Sequence, residues 1–335
     1  MSGISYGIEL FLTSWPGMYV SQSFFHSLIA AIIIDRAVRI WKISDPLIIQ
    51  RLRLIVILFP IFSFPVYQAI NHERGSMAFR LSTLFDSNRW LQIELIGKIP
   101  LGLPFLLFLF LVAVIFLVQE MIPVVRHTLE SRDDTSGDFP GDANPLVREV
   151  LDALPGEKPP LYLLDDEEAV IFSSTGRDPA IYLSQGLIMM LNLEEMKAAV
   201  AHEMAHIERN KRPLLIAVFF LRIIMFFNPI VLLEFRRAIQ DEEKICDDRA
   251  ISLTSNPHAL AETLKKIYRE PGDGDLSQSR QLSRLRDSLE EHSHNIHLES
   301  RVKRLETRQP QTGERGLIPF TMALAAVAII NYFVV

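Results

Sequence analysis

"AVAHEMAHIERN", residues 199–210, holds two histidines four apart, His202 and His206, with Glu203 directly after the first. On a helix, positions i and i+4 share a face, so both imidazoles can turn to one ion. His-Glu-x-x-His is the shortest pattern of a zinc hydrolase. Glu203 then stands roughly 100° round the helix from His202. From there it can reach a water on the ion and remove its proton without being a ligand. The pattern is short, and in a chain with nine histidines chance can produce it. A catalytic zinc also needs a third protein ligand, so the decision passes to the surrounding sequence.

The local helix is well marked. Asn192 suits the cap, Glu195 stands at the capping-box position, Glu194 and Glu195 favour the helix start, and Lys211, Arg212 and Pro213 mark the end. A metzincin would need Gly at 209 and His at 212, where this chain has Arg209 and Arg212. The other source is a downstream carboxylate. "DEEKICDDRA" (241–250) offers Glu243, with Asp247 one turn on to accept a hydrogen bond from a ligand histidine, and Glu242 and Asp248 compete in shifted register. Cys246 is the single cysteine, which excludes an intrachain disulfide framework and a cysteine-based structural zinc site. Next to Asp247 it is either a fourth, soft ligand or a small buried residue, the commoner outcome.

Nearly half of the chain is apolar and its mean hydropathy is positive, at +0.21, which is unusual for a soluble protein. A helix needs about 20 largely apolar residues to cross a bilayer. Three runs qualify, about 24–41, 52–70 (broken by Pro60 and Pro65) and 99–122, and a further span, 317–335, closes the sequence. A fourth run, 213–235, carries Arg222 and an internal Asn228-Pro229. If it crossed once, His206 and Glu243 would face opposite sides and could not share an ion. It is therefore expected to return as a re-entrant or interfacial segment, with the site near the membrane surface. Arg222 is a functional suspect unless it snorkels to the interface. No removable signal peptide is expected. Arg36, Arg39, Lys42, Arg51 and Arg53, and Arg301, Lys303, Arg304, Arg308 and Arg315, place their sides in the cytoplasm, against the weaker contrary signal of Arg74, Arg80, Arg89 and Lys98. The net charge of −6 argues against a nucleic-acid partner.

These readings divide the chain into a transmembrane region (1–122), an acidic Gly/Pro-bearing linker (123–144), a zinc domain (145–312) that includes the apolar segment 213–235, and the last span. Within the zinc domain "LVREVLDAL" predicts a short helix, and "PLYLLD", "AVIFSS" and "AIYLSQG" predict a small sheet. Helices are expected at about 233–254 and 259–268.

The runs "IYLSQGLIMMLNLEEMKAAVAHEMAHIERNKRP", "FFNPIVLL", "EKICDDRA" and "LESRVKRL" before a terminal span resemble the BlaR/MecR-type membrane metallopeptidases, the transducers of β-lactam sensing in bacteria. More distantly the chain is similar to the HtpX and CAAX-prenyl protease group. The resemblance covers roughly residues 20–335, with its specific motifs between 180 and 305. It implies a multi-pass α-helical membrane protein with an α+β gluzincin metalloprotease domain. His202, His206 and Glu243 would bind one zinc ion per chain, Glu203 would be the general base, and Asp247 would stand behind a ligand histidine. The choice of Glu243 over Glu242 rests mainly on the family's pattern of Glu, two spacers, Cys and Asp. The sensor members carry a penicillin-binding domain after the last span, whereas the sequence stops at Val335. Ser300-x-x-Lys303 matches the bare acylation motif of such domains, but reads as coincidence on the expected cytoplasmic side.

The chemistry so implied is peptide hydrolysis of a cytosolic or membrane-proximal protein, a transcriptional repressor by analogy, by an enzyme of the inner cell membrane whose protease domain is cytoplasmic. His294, His297 and Arg301 are candidates for oxyanion or substrate contacts, though the HtpX group's His-Pro is not matched after His297. The strand Ala180, Ile181, Tyr182, Leu183, Ser184 is expected to pair with an extended substrate along its edge. The polar loop 271–281 is where self-cleavage is expected. The alternative class is a receptor or scaffold with a folded, poorly active zinc domain, against which Glu203 argues. Oligomeric state is not readable.

Overall fold

The computed structural model describes residues 3–95, 99–121, 139–140, 144–174, 178–209, 212–267, 298–307 and 317–335. They form two compact units, Met1–Asp133 with Leu214–Asp241 and Gln311–Val335, and Asp134–Pro213 with Glu242–Pro310. The apolar segment thus groups with the N-terminal helices. The chain is mostly helical, with one small sheet in the second unit.

In the first unit, Ser14 accepts a hydrogen bond from Gly17 N at 3.3 Å and Pro16 suits the first turn, so the first long helix begins at Trp15 and runs to Ile40. Its early stretch reads as too polar to belong to a span because Ser21, Gln22, Ser23, His26 and Ser27 all turn inward, where they are buried. The second helix, Pro46–Ile70, is capped by Asp45 and is not broken by Pro60 and Pro65. Pro65 has no N–H to offer Ile61 O, and the Tyr19 hydroxyl donates to that carbonyl instead, at 3.3 Å. With Gly102–Gln119, these are the three helices among the described residues long and apolar enough to cross a membrane. Leu317–Tyr332 is apolar but has only 16 residues.

The run carrying Arg222 forms a helix, Arg212–Ile224, then a turn, then a second helix, Pro229–Thr254. Asn228 makes the break tolerable. It is fully buried, its Oδ1 accepts from Ile230 N at 3.2 Å, and its Nδ2 donates to Ser27 Oγ at 3.0 Å and to Ser23 O at 3.3 Å. Arg222 does not snorkel: it is buried, its guanidinium 4.5 Å from the ring centre of Phe235 and 5.1 Å from that of Phe116.

The second unit carries a four-stranded sheet in the order Phe139–Pro140, Leu161–Leu164, Ala180–Ser184, Ile171–Ser174. Phe139–Pro140 lies in the stretch read as linker, yet its backbone pairs antiparallel with Leu163 and Tyr162. Ala180–Ser184 is parallel to Leu161–Leu164 and antiparallel to Ile171–Ser174. It is an inner strand with both edges paired, so the expectation that it offers an edge to substrate is incorrect. Its pattern of buried residues on both faces is what an enclosed strand requires. Gly186 follows at a close crossing, where a Cβ would lie 1.9 Å from Glu167 O. Ile181, Leu183, Met196, Val200, Leu260, Val302 and Leu305 join sheet and helices in one core.

Replacing Asn228 by Ala removes one of the two partners of the buried Ser27 hydroxyl, which keeps Phe24 O, and the side-chain cap at the start of the Pro229 helix. We expect a loss of about 1–2 kcal/mol, read as a lower thermal unfolding midpoint in detergent.

Candidate metal centre

The helix Leu193–Arg209 is fixed at its start before any chemistry is considered. Asn192 N donates to Glu195 Oε2 at 2.9 Å and Glu195 N donates to Asn192 Oδ1 at 3.0 Å, the reciprocal capping box read from the sequence. Lys266 Nζ, from the helix Pro257–Ile267, holds the same Glu195 carboxylate at 2.7 Å. This anchors the register in which His202 and His206 share one face.

Opposite them stands the second half of the helix Pro229–Thr254. His202 Nε2 and His206 Nε2 are 3.2 Å apart, and each lies 3.5 Å from an oxygen of Glu243. Ligand atoms of a tetrahedral zinc at about 2.0–2.1 Å would be about 3.3–3.4 Å from one another, so the three donors are spaced for such an ion. The donor set, two imidazoles and a carboxylate, also suits zinc. Glu203, half-buried, makes no hydrogen bond or ion pair among the described residues, and its charge is felt by His206. It is thus available as a base.

Behind the donors, Asp247 is fully buried and its Oδ1 lies 3.1 Å from His202 Nδ1, within ion-pair range though short of a well-directed hydrogen bond. Cys246 Sγ lies 3.4 Å from His206 Nδ1, on the ring nitrogen turned away from Glu243. The thiol therefore backs the histidine rather than joining the donors. It is completely buried, and burial pushes its pKa up.

The register competitors are otherwise engaged. Glu242 is held by Arg209 through two contacts, at 2.6 and 2.9 Å, and Asp248 pairs with Arg304. Arg301 makes a bidentate contact to Asp247, at 2.8 and 2.7 Å, and reaches Glu243 Oε2 at 3.1 Å. Expected as an oxyanion or substrate contact, its guanidinium is engaged here by the buried Asp247 and the partly exposed Glu243, since a buried anion needs a cation beside it. Val302 and Leu305, packed in the core, seat residues 298–306 so that Arg301 and Arg304 face the carboxylates. The matching arginines are not assigned by sequence reasoning, although four carboxylates within 242–248 are a signal that cations must be near. His294 and His297, and the loop 271–281, lie outside the described residues.

The electrostatics are those of a cation trap. Burial disfavours a charged His202, but Asp247 and Glu243 outweigh it and raise its pKa to about 10. Burial likewise raises the Glu243 pKa, and is overcome by His202 and Arg301, which bring it down to about 2. His206 is lowered, first by burial and then by the charge on His202. A metal ion would compete with protons for the imidazoles, so its affinity would fall as pH falls.

With this geometry the sequence comparisons can be set out. Residues 173–273 match the model of the BlaR1 peptidase M56 family. Over 166 residues the chain is 30% identical to a Protease HtpX homolog of Caldanaerobacter subterraneus, covering 36% of this chain and 55% of that protein. It is 37% identical over 76 residues to a Protease HtpX homolog of Thermoanaerobacter pseudethanolicus, covering 22% of this chain and 25% of that one. The chain thus spans about half the length of the first relative and a quarter of the second. No solved structure gives a significant match. The similarity to a BlaR1-type peptidase domain thus covers residues 173–273, and outside that stretch the chain carries three helices long and apolar enough to cross a membrane.

The register is testable by metal analysis. Glu243→Gln should lower bound zinc per purified chain at least tenfold in a competitive chelator titration, whereas Glu242→Gln should retain it.

Proposed function

We propose that the chain is a zinc-dependent endopeptidase embedded in the cell membrane, its protease region on the cytoplasmic side, cutting a cytosolic or membrane-proximal protein in a regulatory role. The observation that carries the reading is the convergence of His202 Nε2, His206 Nε2 and Glu243 at ligand spacing, with an uncommitted Glu203 one residue along the same helix. The cytoplasmic assignment rests on the Lys and Arg of the first connection and of the segment before Leu317.

His202, His206 and Glu243 hold the ion, which when bound supplies Lewis-acid polarisation of the scissile carbonyl and acidifies water. Glu203 accepts the proton as water attacks the carbonyl carbon and delivers it to the departing amine as the C–N bond breaks. Asp247 orients His202 through Nδ1, and Arg301 holds Asp247 and Glu243 together. Substrate pairing is assigned to Ile171–Ser174, the outer strand at the sheet edge opposite Phe139–Pro140, which packs beside the helix Leu193–Arg209. An extended peptide added there would gain main-chain hydrogen bonds, which fix the scissile bond independently of side-chain identity.

The test is Glu203→Gln in the full chain, reconstituted with zinc and given a proteome-derived peptide library read by mass spectrometry. Zinc content should be unchanged while the cleavage rate falls about 10²–10⁴-fold. Cleavage at the original rate with zinc bound would overturn the proposal.

A further inference from the structure

A groove of about 750 Å³ lies in the first unit between the helices Pro46–Ile70 and Leu317–Tyr332. Its walls are apolar, formed chiefly by Leu54, Leu58 and Phe62 on one side and Phe320 and Leu324 on the other. The two ends differ. At one, the Tyr67 hydroxyl donates to Ala328 O at 2.6 Å and ties the helices together. At the other stand Leu317 and Arg51, and Arg51 is exposed, with no hydrogen bond or ion pair among the described residues. The neighbouring Arg53, by contrast, is held by Glu234 at 2.6 Å and Asp241 at 2.7 Å.

We infer that this groove is a binding site for an anionic glycerophospholipid, with one acyl chain between the helices and the phosphate on Arg51. Three observations select that occupant. The helix Pro46–Ile70 is one of the membrane-crossing candidates, so its apolar groove faces hydrocarbon. From Leu317 to Ala328 the wall rises about 17 Å, against a leaflet hydrocarbon depth of about 15 Å. The mouth presents Arg51, which has no anionic partner among the described residues, at the end of the helix where a lipid phosphate would sit, and exposed Arg36 and Lys42 precede it in the chain. A second copy of the chain would meet this positive charge with the same charge of its own, which disfavours it as occupant.

The test places a photo-crosslinking benzophenone amino acid at the exposed Phe62 position of the full chain, in vesicles of equal parts phosphatidylglycerol and phosphatidylcholine. Adducts are read by intact mass. A single basic residue near the headgroups favours an anionic lipid about fivefold, so phosphatidylglycerol adducts should predominate by about that ratio. The preference should vanish in Arg51→Gln and persist in Arg51→Lys. Equal labelling of the two lipids with Arg51 intact would overturn the inference, as would crosslinks mainly to a second copy of the chain. The readout does not involve metal or peptidase activity, so its failure leaves the proposed chemistry untouched, and the reverse holds as well.

Discussion

Four carboxylates crowd residues 242–248, and the proposed centre depends on how three arginines divide among them. Arg209 takes Glu242, Arg304 takes Asp248, and Arg301 spans Asp247 and Glu243. A buried carboxylate without a partner would cost several kcal/mol or protonate. The pairing therefore decides which carboxylate is left to face the histidines. Glu243 remains, carrying one arginine contact and two imidazoles, and is the carboxylate that would face a bound cation in the proposed centre.

That arrangement depends on helices held from outside the centre. The capping box at Asn192 and Glu195 sets where the helix of His202 begins, and Val302 and Leu305 set where Arg301 stands. Core packing and capping thus translate into ligand geometry. Ångström-scale tolerances on a metal site are met by elements whose own positions are over-determined.

Much of this could be read from residue order. The capping box, the three principal strands and the helix of the His-Glu-x-x-His motif follow from local chemistry that leaves little choice. Residues whose fate depends on three-dimensional partners could not be read so. Nothing local distinguishes Glu242 from Glu243 until Arg209 is placed, and the pairing of Arg301 with Asp247 is not visible until the two are found side by side. Ala180–Ser184 looks like any short strand, because edge or centre is a property of the sheet. Pro60 and Pro65 suggest a break, because the hydroxyl that serves Ile61 O comes from Tyr19 on another helix. Gln22, Ser23 and Ser27 hide the start of the first long helix for the same reason: their polarity faces inward.

The account's central claim is a nitrogen and oxygen centre with the sulfur of Cys246 held behind it. X-ray absorption at the zinc edge of the purified full chain tests this directly. It should show only light scatterers near 2.0–2.1 Å, with the outer-shell pattern of two imidazoles. A sulfur shell near 2.3 Å, or the absence of imidazole scattering, would contradict it.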